Sequence, residues 1–276
     1  MKKCFVNKDE FKARLDMAAH NKQPYELLMQ GNSKTLNLSD GSSYYLYSLR
    51  KSLDTEKKDL SSDRLPANEI YFIGQVKKHI MDNGFHKSIE KNYRHKDMIK
   101  FISYNENIGV GEFFDDSYCI DITAAYWRSA YNQGYLSKSL YEKGLTVDKR
   151  VRLACLGTFA KTVSVINFDG ENEYFGNDIK PKFEHVFFNA ANLIYKCMNA
   201  CRKAVKDDFI FYWTDCVYVK NKEAVDICKG VMVEHGFDSH DDYCKRISFE
   251  HNGIRVNKWS EKKDKFEDKF YGIMID

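Results

Sequence analysis

Two acids stand at the ends of apolar runs. Asp121 closes Tyr118-Cys119-Ile120, and Asp215 lies between Phe209-Ile210-Phe211-Tyr212 and Val217-Tyr218-Val219. In an antiparallel sheet such acids can meet at one edge and bind a divalent metal through hard oxygen ligands. Two Mg²⁺ ions held by carboxylates activate a 3′-hydroxyl and stabilise a leaving pyrophosphate. Taken alone, each acid reads more readily as a plain turn residue. A second feature is basic. Between Lys143 and Lys161, Lys143, Lys149, Arg150, Arg152 and Lys161 face one acid, Asp148. That excess suits a polyphosphate or a nucleic-acid backbone; a solvated helix face is the alternative.

The eight cysteines are scattered among apolar neighbours and form no CxxC pair. This pattern reads as reduced thiols in a cytoplasm. Cys197 and Cys201 share a helix face, where core packing explains them better than a metal. His235, His240 and Cys244 have ligand chemistry, but their spacing fits no zinc rule.

The elements that must position these groups follow from periodicity. Asp9 to Leu28 carries a weak helical period, Asn32 to Ser43 is turn-rich, and Lys51 to Pro66 is a charged loop. Ile70 to Asn83 reads as a helix stopped by Gly84. Phe101 to Ser103 and Tyr118 to Ile122 read as strands, and Ala124 to Gln133 and Asp148 to Lys161 as helices. Phe183 to Val205 repeats apolar residues every three to four positions and predicts a long helix. Phe209 to Val219 predicts strand, tight turn, strand, with the acid in the turn. Asn221 caps a helix to His235, ended by Gly236. Asn252-Gly253 marks a hairpin. The charged stretch Ser260 to Lys269 reads as a solvated face or loop. Strands are thus few and local, and the expected class is α+β, a small antiparallel sheet backed by helices.

Composition bounds the function. With 43 Lys and Arg against 40 Asp and Glu, the net charge of +3 permits a nucleic-acid partner without demanding one. No run of about 18 apolar residues is present, so no membrane partner is expected. The start of the chain turns charged too soon for a signal peptide.

The two acids acquire a context from their surroundings. Asp121-Ile122-Thr123-Ala124-Ala125-Tyr126 resembles motif A of family B DNA polymerases. Phe211-Tyr212-Trp213-Thr214-Asp215-Cys216-Val217-Tyr218-Val219 resembles their motif C. Lys149-Arg150-Val151-Arg152-Leu153-Ala154-Cys155-Leu156-Gly157-Thr158-Phe159-Ala160 resembles motif B of the protein-primed members, found in phages and plasmids. The motifs run in the family order, with a long helix between B and C, and Asn107 to Phe114 looks like the hairpin that precedes motif A. The resemblance covers about residues 100–220. Trp213 replaces the first acid of motif C, Leu153 and Leu156 replace the Asn and Tyr of motif B, and Trp127 replaces the Pro of motif A. The interval from Asp121 to Lys149 is short for two-helix fingers, no exonuclease motif precedes it, and the stretch after Asp215 is short for a thumb.

The resemblance implies a polymerase-type palm over 96–276, after an N-terminal region, 1–95, of unknown role. It implies reduced fingers and no exonuclease or full thumb. Asp121 and Asp215 would hold Mg²⁺ or Mn²⁺, with the Ile122 carbonyl as a further ligand. Tyr126 would lie under the incoming sugar and exclude a 2′-hydroxyl, or serve as a core aromatic. Lys149 and Arg152 would face the triphosphate. Trp213, Thr214 and Gly157 would contact nucleic acid, although Trp213 equally reads as a core plug. The implied activity is deoxynucleotide addition to a primer–template. A partner chain would supply fingers, thumb or exonuclease, as in a split polymerase. A catalytically inactive palm, kept as a scaffold or DNA-binding subunit of a replication or virion complex, is the competing reading. A reverse-transcriptase-like palm is a third, disfavoured by motif B. A composition rich in Lys, Asn, Tyr, Phe and Asp suits an AT-rich phage or mobile element, hence a bacterial or phage-infected cytoplasm.

Overall fold

The computed structural model describes residues 3–30, 33–47, 67–83, 100–181, 183–261 and 263–273. The elements run β1 (Lys3–Val6), α1 (Lys8–His20), β2 (Tyr25–Gln30), β3 (Ser33–Leu38), β4 (Ser43–Tyr47), α2 (Ala67–Asp82), β5 (Ile102–Tyr104) and β6 (Phe113–Ile122). They continue with α3 (Ala125–Asn132), α4 (Lys138–Leu145), α5 (Lys149–Gly157), β7 (Ser164–Phe168), β8 (Glu173–Phe175) and α6 (Glu184–Val205). The last are β9 (Phe209–Trp213), β10 (Cys216–Val219), α7 (Lys222–Glu234), β11 (Ser239–Glu250), β12 (Gly253–Ser260) and β13 (Lys265–Gly272). The class is α+β, as expected, with two sheets rather than one small one. Among the described residues no helix is long and apolar enough to cross a membrane.

Two compact units divide these elements: Met1–Lys91 with Tyr135–Phe188, and Asn92–Gly134 with Asn189–Asp276. The first unit holds a six-stranded sheet, β1-β4-β3-β2-β7-β8, antiparallel except for the parallel pair β1–β4. Its core joins Phe11 and Ala18 of α1 to Leu27, Leu36 and Leu46 of the sheet. The stretch 135–188 packs with this unit.

The second unit holds a seven-stranded antiparallel sheet, β13-β12-β11-β6-β10-β9-β5. Successive side chains of a strand leave on opposite faces. Ile120, Ile122, Val217 and Val219 pack on one face against Ile194, Cys197, Met198 and Cys201 of α6 and Val225, Cys228 and Met232 of α7. Cys119, Cys216, Tyr218, Cys244, Ile247 and Val256 fill the other. Cys197 and Cys201 are therefore core residues.

Several sequence expectations held. The long helix, the strand–turn–strand at 209–219, the helix capped by Asn221 and the hairpin at Asn252-Gly253 are all present. Others are corrected. The helical period over Asp9–Leu28 ends at His20: Lys22 turns left-handed (φ +51°) and Pro24 bars continuation, so Tyr25–Gln30 becomes a strand between β3 and β7. Within Asn32–Ser43, Ser33–Leu38 is β3, because neighbours on both sides outweigh the polar composition. The helix expected over Asp148–Lys161 has Asp148 as its cap and gives way to a 3₁₀ turn at Thr158–Ala160. The preceding α4, capped by Ser137, was not expected, nor were β7 and β8. Asn107–Phe114 is no hairpin, since β5 pairs with β9 and β6 with β10 and β11. Instead Gly111 and Glu112 bond the Phe249 backbone. Ser260–Lys269 contains most of β13, whose charges are tolerable on an edge strand. The Lys51–Pro66 loop and the Gly84 stop lie outside the described residues.

Gly253 fastens that edge. A β-carbon there would lie 2.3 Å from the Tyr271 carbonyl oxygen and 2.6 Å from the Phe270 ring. Gly253→Ala is expected to cost about 1–3 kcal/mol by forcing β13 off β12, measured by urea unfolding; an unchanged midpoint would contradict this packing.

Candidate active site

The turn between β9 and β10 is held by the neighbouring backbone and by its own side chains. Both strands are almost wholly buried, so the two-residue link Thr214-Asp215 carries the hairpin's polarity. Thr214 is left-handed, with φ +53°, a conformation costing a β-branched residue about 1–2 kcal/mol. Three bonds hold it there. The Thr214 N–H donates to the Phe101 carbonyl at 2.6 Å, and Ile122 N–H donates to the Asp215 carbonyl at 3.0 Å. The Thr214 hydroxyl donates to Asp215 Oδ1 at 2.7 Å.

The β6–β10 ladder then places Asp121 directly opposite Cys216, the residue after Asp215. Directly opposed residues lie about 5 Å apart. Asp121 of β6 thus stands beside the turn that carries Asp215. On its other side Asp121 faces His240 of β11. The Cys216 thiol is pushed well up by its bond with Cys119 and by burial, and Asp121's charge adds to that shift. Asp121 is half-buried, between the buried Ile120 and Ile122.

Immediately beyond Asp121 the chain reverses. Thr123 N–H donates to the Asp238 carbonyl at 2.8 Å, and Arg128 forms an ion pair with the Asp238 carboxylate. Ala124 is left-handed (φ +52°) and opens α3. Ile122 is buried, and Tyr126 packs against the core face that includes Ile120 and Val217. Burial raises the Tyr126 hydroxyl's pKa to about 12, with Asp215's charge as the second cause. Tyr126 is therefore both a core aromatic and electrostatically coupled to Asp215. Trp127 is buried. Trp213 is half-buried, its ring 4.9 Å from that of Tyr271, whose hydroxyl pairs with Tyr218 at 2.6 Å.

The remaining predicted residues, Lys149, Arg152 and Gly157, belong to the first unit. Lys149 is the exposed first residue of α5, and among the described residues no ion pair involves it. Arg152 Nη1 donates to the carbonyls of Gly144 at 3.1 Å and Val147 at 2.8 Å, tying α5 to the end of α4. A β-carbon at Gly157 would meet nothing within 4 Å, so packing does not demand glycine there. Leu153 is exposed and Leu156 is core.

Sequence reasoning passed over His240 as a neighbour of Asp121, and it gave no sign of the left-handed Thr214 and Ala124. Only register and backbone geometry bring these out. Among the described residues no three His, Cys, Asp or Glu side chains are grouped to hold a metal ion. Two carboxylates suffice for Mg²⁺, which commonly takes one or two from the protein and completes its shell with water and substrate phosphate.

No protein-family model and no curated protein matches the chain. A solved structure does: phi29 DNA polymerase complexed with primer-template DNA and incoming nucleotide substrates, with a TM-score of 0.55 at 9% identity. The match covers 97% of this chain and 82% of that one. The chain resembles phi29 DNA polymerase in fold. A second structure, phi29 DNA polymerase complexed with primer-template DNA (post-translocation binary complex), has a TM-score of 0.49 at 8% identity, over 97% of this chain and 83% of that one.

The Tyr126 shift has a signed consequence. Its phenol ionises near 10 in the unfolded chain and near 12 when folded. The stability it contributes is full below pH 10 and is lost as pH rises toward 12. Urea unfolding across that interval should show a shallower decline for Tyr126→Phe than for the unmodified chain; parallel declines would mean that Tyr126 is not held apart from solvent.

Proposed function

We propose that the chain is a DNA-polymerase-type nucleotidyltransferase that adds deoxynucleotides to a primer–template. The observation that carries this is Asp121 on β6 beside the β9–β10 turn that holds Asp215, within a fold similar to a phi29 polymerase. Asp121 and Asp215 would hold a divalent cation, with the Ile122 carbonyl as a further oxygen. Bound Mg²⁺ or Mn²⁺ supplies charge neutralisation at the triphosphate and lowers the pKa of the attacking hydroxyl. The Thr214 hydroxyl fixes one oxygen of Asp215, so the carboxylate is preoriented before substrate arrives. Tyr126 presents its ring to the incoming sugar and disfavours a 2′-hydroxyl. Lys149 presents a point charge to the polyphosphate. Arg152 has its Nη1 on the α4–α5 corner and would face the triphosphate with Lys149. Thr214 and Trp213, and in the first unit Gly157, would each contact nucleic acid in this reading.

One observation favours the alternative, an inactive palm-like scaffold. Trp213, standing where the family carries an acid, packs against Tyr271 of β13.

The experiment is nucleotide incorporation into a labelled primer–template with Mg²⁺ or Mn²⁺. Extension is expected from the unmodified chain. Asp121→Ala and Asp215→Ala should each lower it by about 10²-fold or more, and Tyr126→Ala should admit ribonucleotides. Absence of extension with either metal on DNA or RNA templates would leave the scaffold reading.

A further inference from the structure

Behind the candidate acids lies a buried cluster that nucleotidyl transfer does not use. Lys258 of β12 is only 9% exposed. Its Nζ lies 2.6 Å from Oδ2 of Asp242 and 3.1 Å from Sγ of Cys119. Cys119 Sγ is itself 3.9 Å from the same Asp242 oxygen. Sheet register assembles this triangle. Lys258 pairs opposite Cys244 on β11, and Asp242, two residues earlier on β11, pairs opposite Cys119 on β6. The lysine thus reaches across β11 to the strand that carries Asp121.

An ammonium has three donors, of which the Asp242 carboxylate and the Cys119 sulfur accept two. Cys216 and Cys244 also adjoin Cys119. Both are diagonal to it in the ladders, since Cys119 pairs with Tyr218 and with Asp242. Diagonal positions lie about 7–8 Å apart, beyond the roughly 7 Å that a disulfide spans. Both thiols hydrogen-bond with Cys119, but a disulfide to either needs the strands to shift, and the Lys258 amine lies in contact with the same sulfur. At 3.1 Å the Sγ–Nζ contact is a hydrogen bond, and the two atoms must draw closer for one oxygen atom to bridge them.

We propose that Cys119 and Lys258 form a reversible N–O–S cross-link with dioxygen as the oxidant. The Lys258 ammonium first passes a proton to Asp242. The amine and the thiol then each lose one hydrogen. One oxygen atom bridges nitrogen to sulfur, and the other leaves with both hydrogens as water. Dioxygen takes four electrons, two from sulfur and two from nitrogen. Two equivalents of dithiol return them and regenerate thiol, amine and a second water. The bond staples β12 to β6 over β11.

The test uses the full chain, purified under argon and then exposed to air-saturated buffer. Intact mass should rise by about 14 Da, one oxygen gained and two hydrogens lost, and dithiothreitol should reverse it. Proteolysis should join the peptide bearing Cys119 to that bearing Lys258. Lys258→Arg keeps a cation beside Asp242 but should abolish the gain, as should Cys119→Ser; Cys216→Ala and Cys244→Ala should retain it. A cysteine–cysteine linkage, oxygen added to Cys119 alone, or an unchanged mass would each overturn the proposal. Should the variants fail to fold, the peptide map of the unmodified chain decides, and it does so whether or not the chain extends a primer.

Discussion

The pairing of β6 with β10 is the constraint on which the second unit depends. It sets Asp121 against Cys216 and so brings Asp215 alongside. It also decides which side chains meet α6 and α7, because a one-residue slip would exchange Ile120 and Ile122 for Cys119 and Asp121 on the helical face. The core and the candidate site are therefore fixed by one register. Burial of Ile120, Ile122, Val217 and Val219 supplies the free energy that holds two acids and a left-handed Thr214 where neither would settle alone.

The site is stiff in a specific sense. Thr214 is tied to the Phe101 carbonyl and to Asp215, and Asp215's carbonyl to Ile122. On the far side of Asp121, Ala124 starts a helix in a conformation that its side chain disfavours. Strain of this kind persists where surrounding packing over-determines the backbone, and it concentrates at functional sites.

Local signals carried much of the second unit. The apolar run of 209–219, the Asn221 cap and Asn252-Gly253 each encode their element within a few residues, and the structure has all three. The places of Asp121 near the end of β6 and Asp215 in the β9–β10 turn were legible for the same reason, since an acid closing an apolar run is a local oddity. What escaped was set at a distance. Ser33–Leu38 looks like a turn until β2 and β4 flank it. Ser260–Lys269 looks solvated until β12 pairs with it. His240 is an ordinary histidine until the β11–β6 register puts it beside Asp121. The Lys258 triangle spans three strands, and no sequence spacing announces it.

The order of elements along the chain also governs how the molecule is made. Every strand of the first sheet has been synthesised by Phe175, so that sheet can close while the ribosome is still at work. The second sheet is different. β6 emerges early, apolar over Tyr118–Ile122, yet its partners β10 and β11 come only after α6. Such long-range pairing is slow to form, and an unpaired apolar strand is prone to associate with other chains in the meantime. Yield on expression should thus depend on what shelters β6 during synthesis more than on the final stability of the fold.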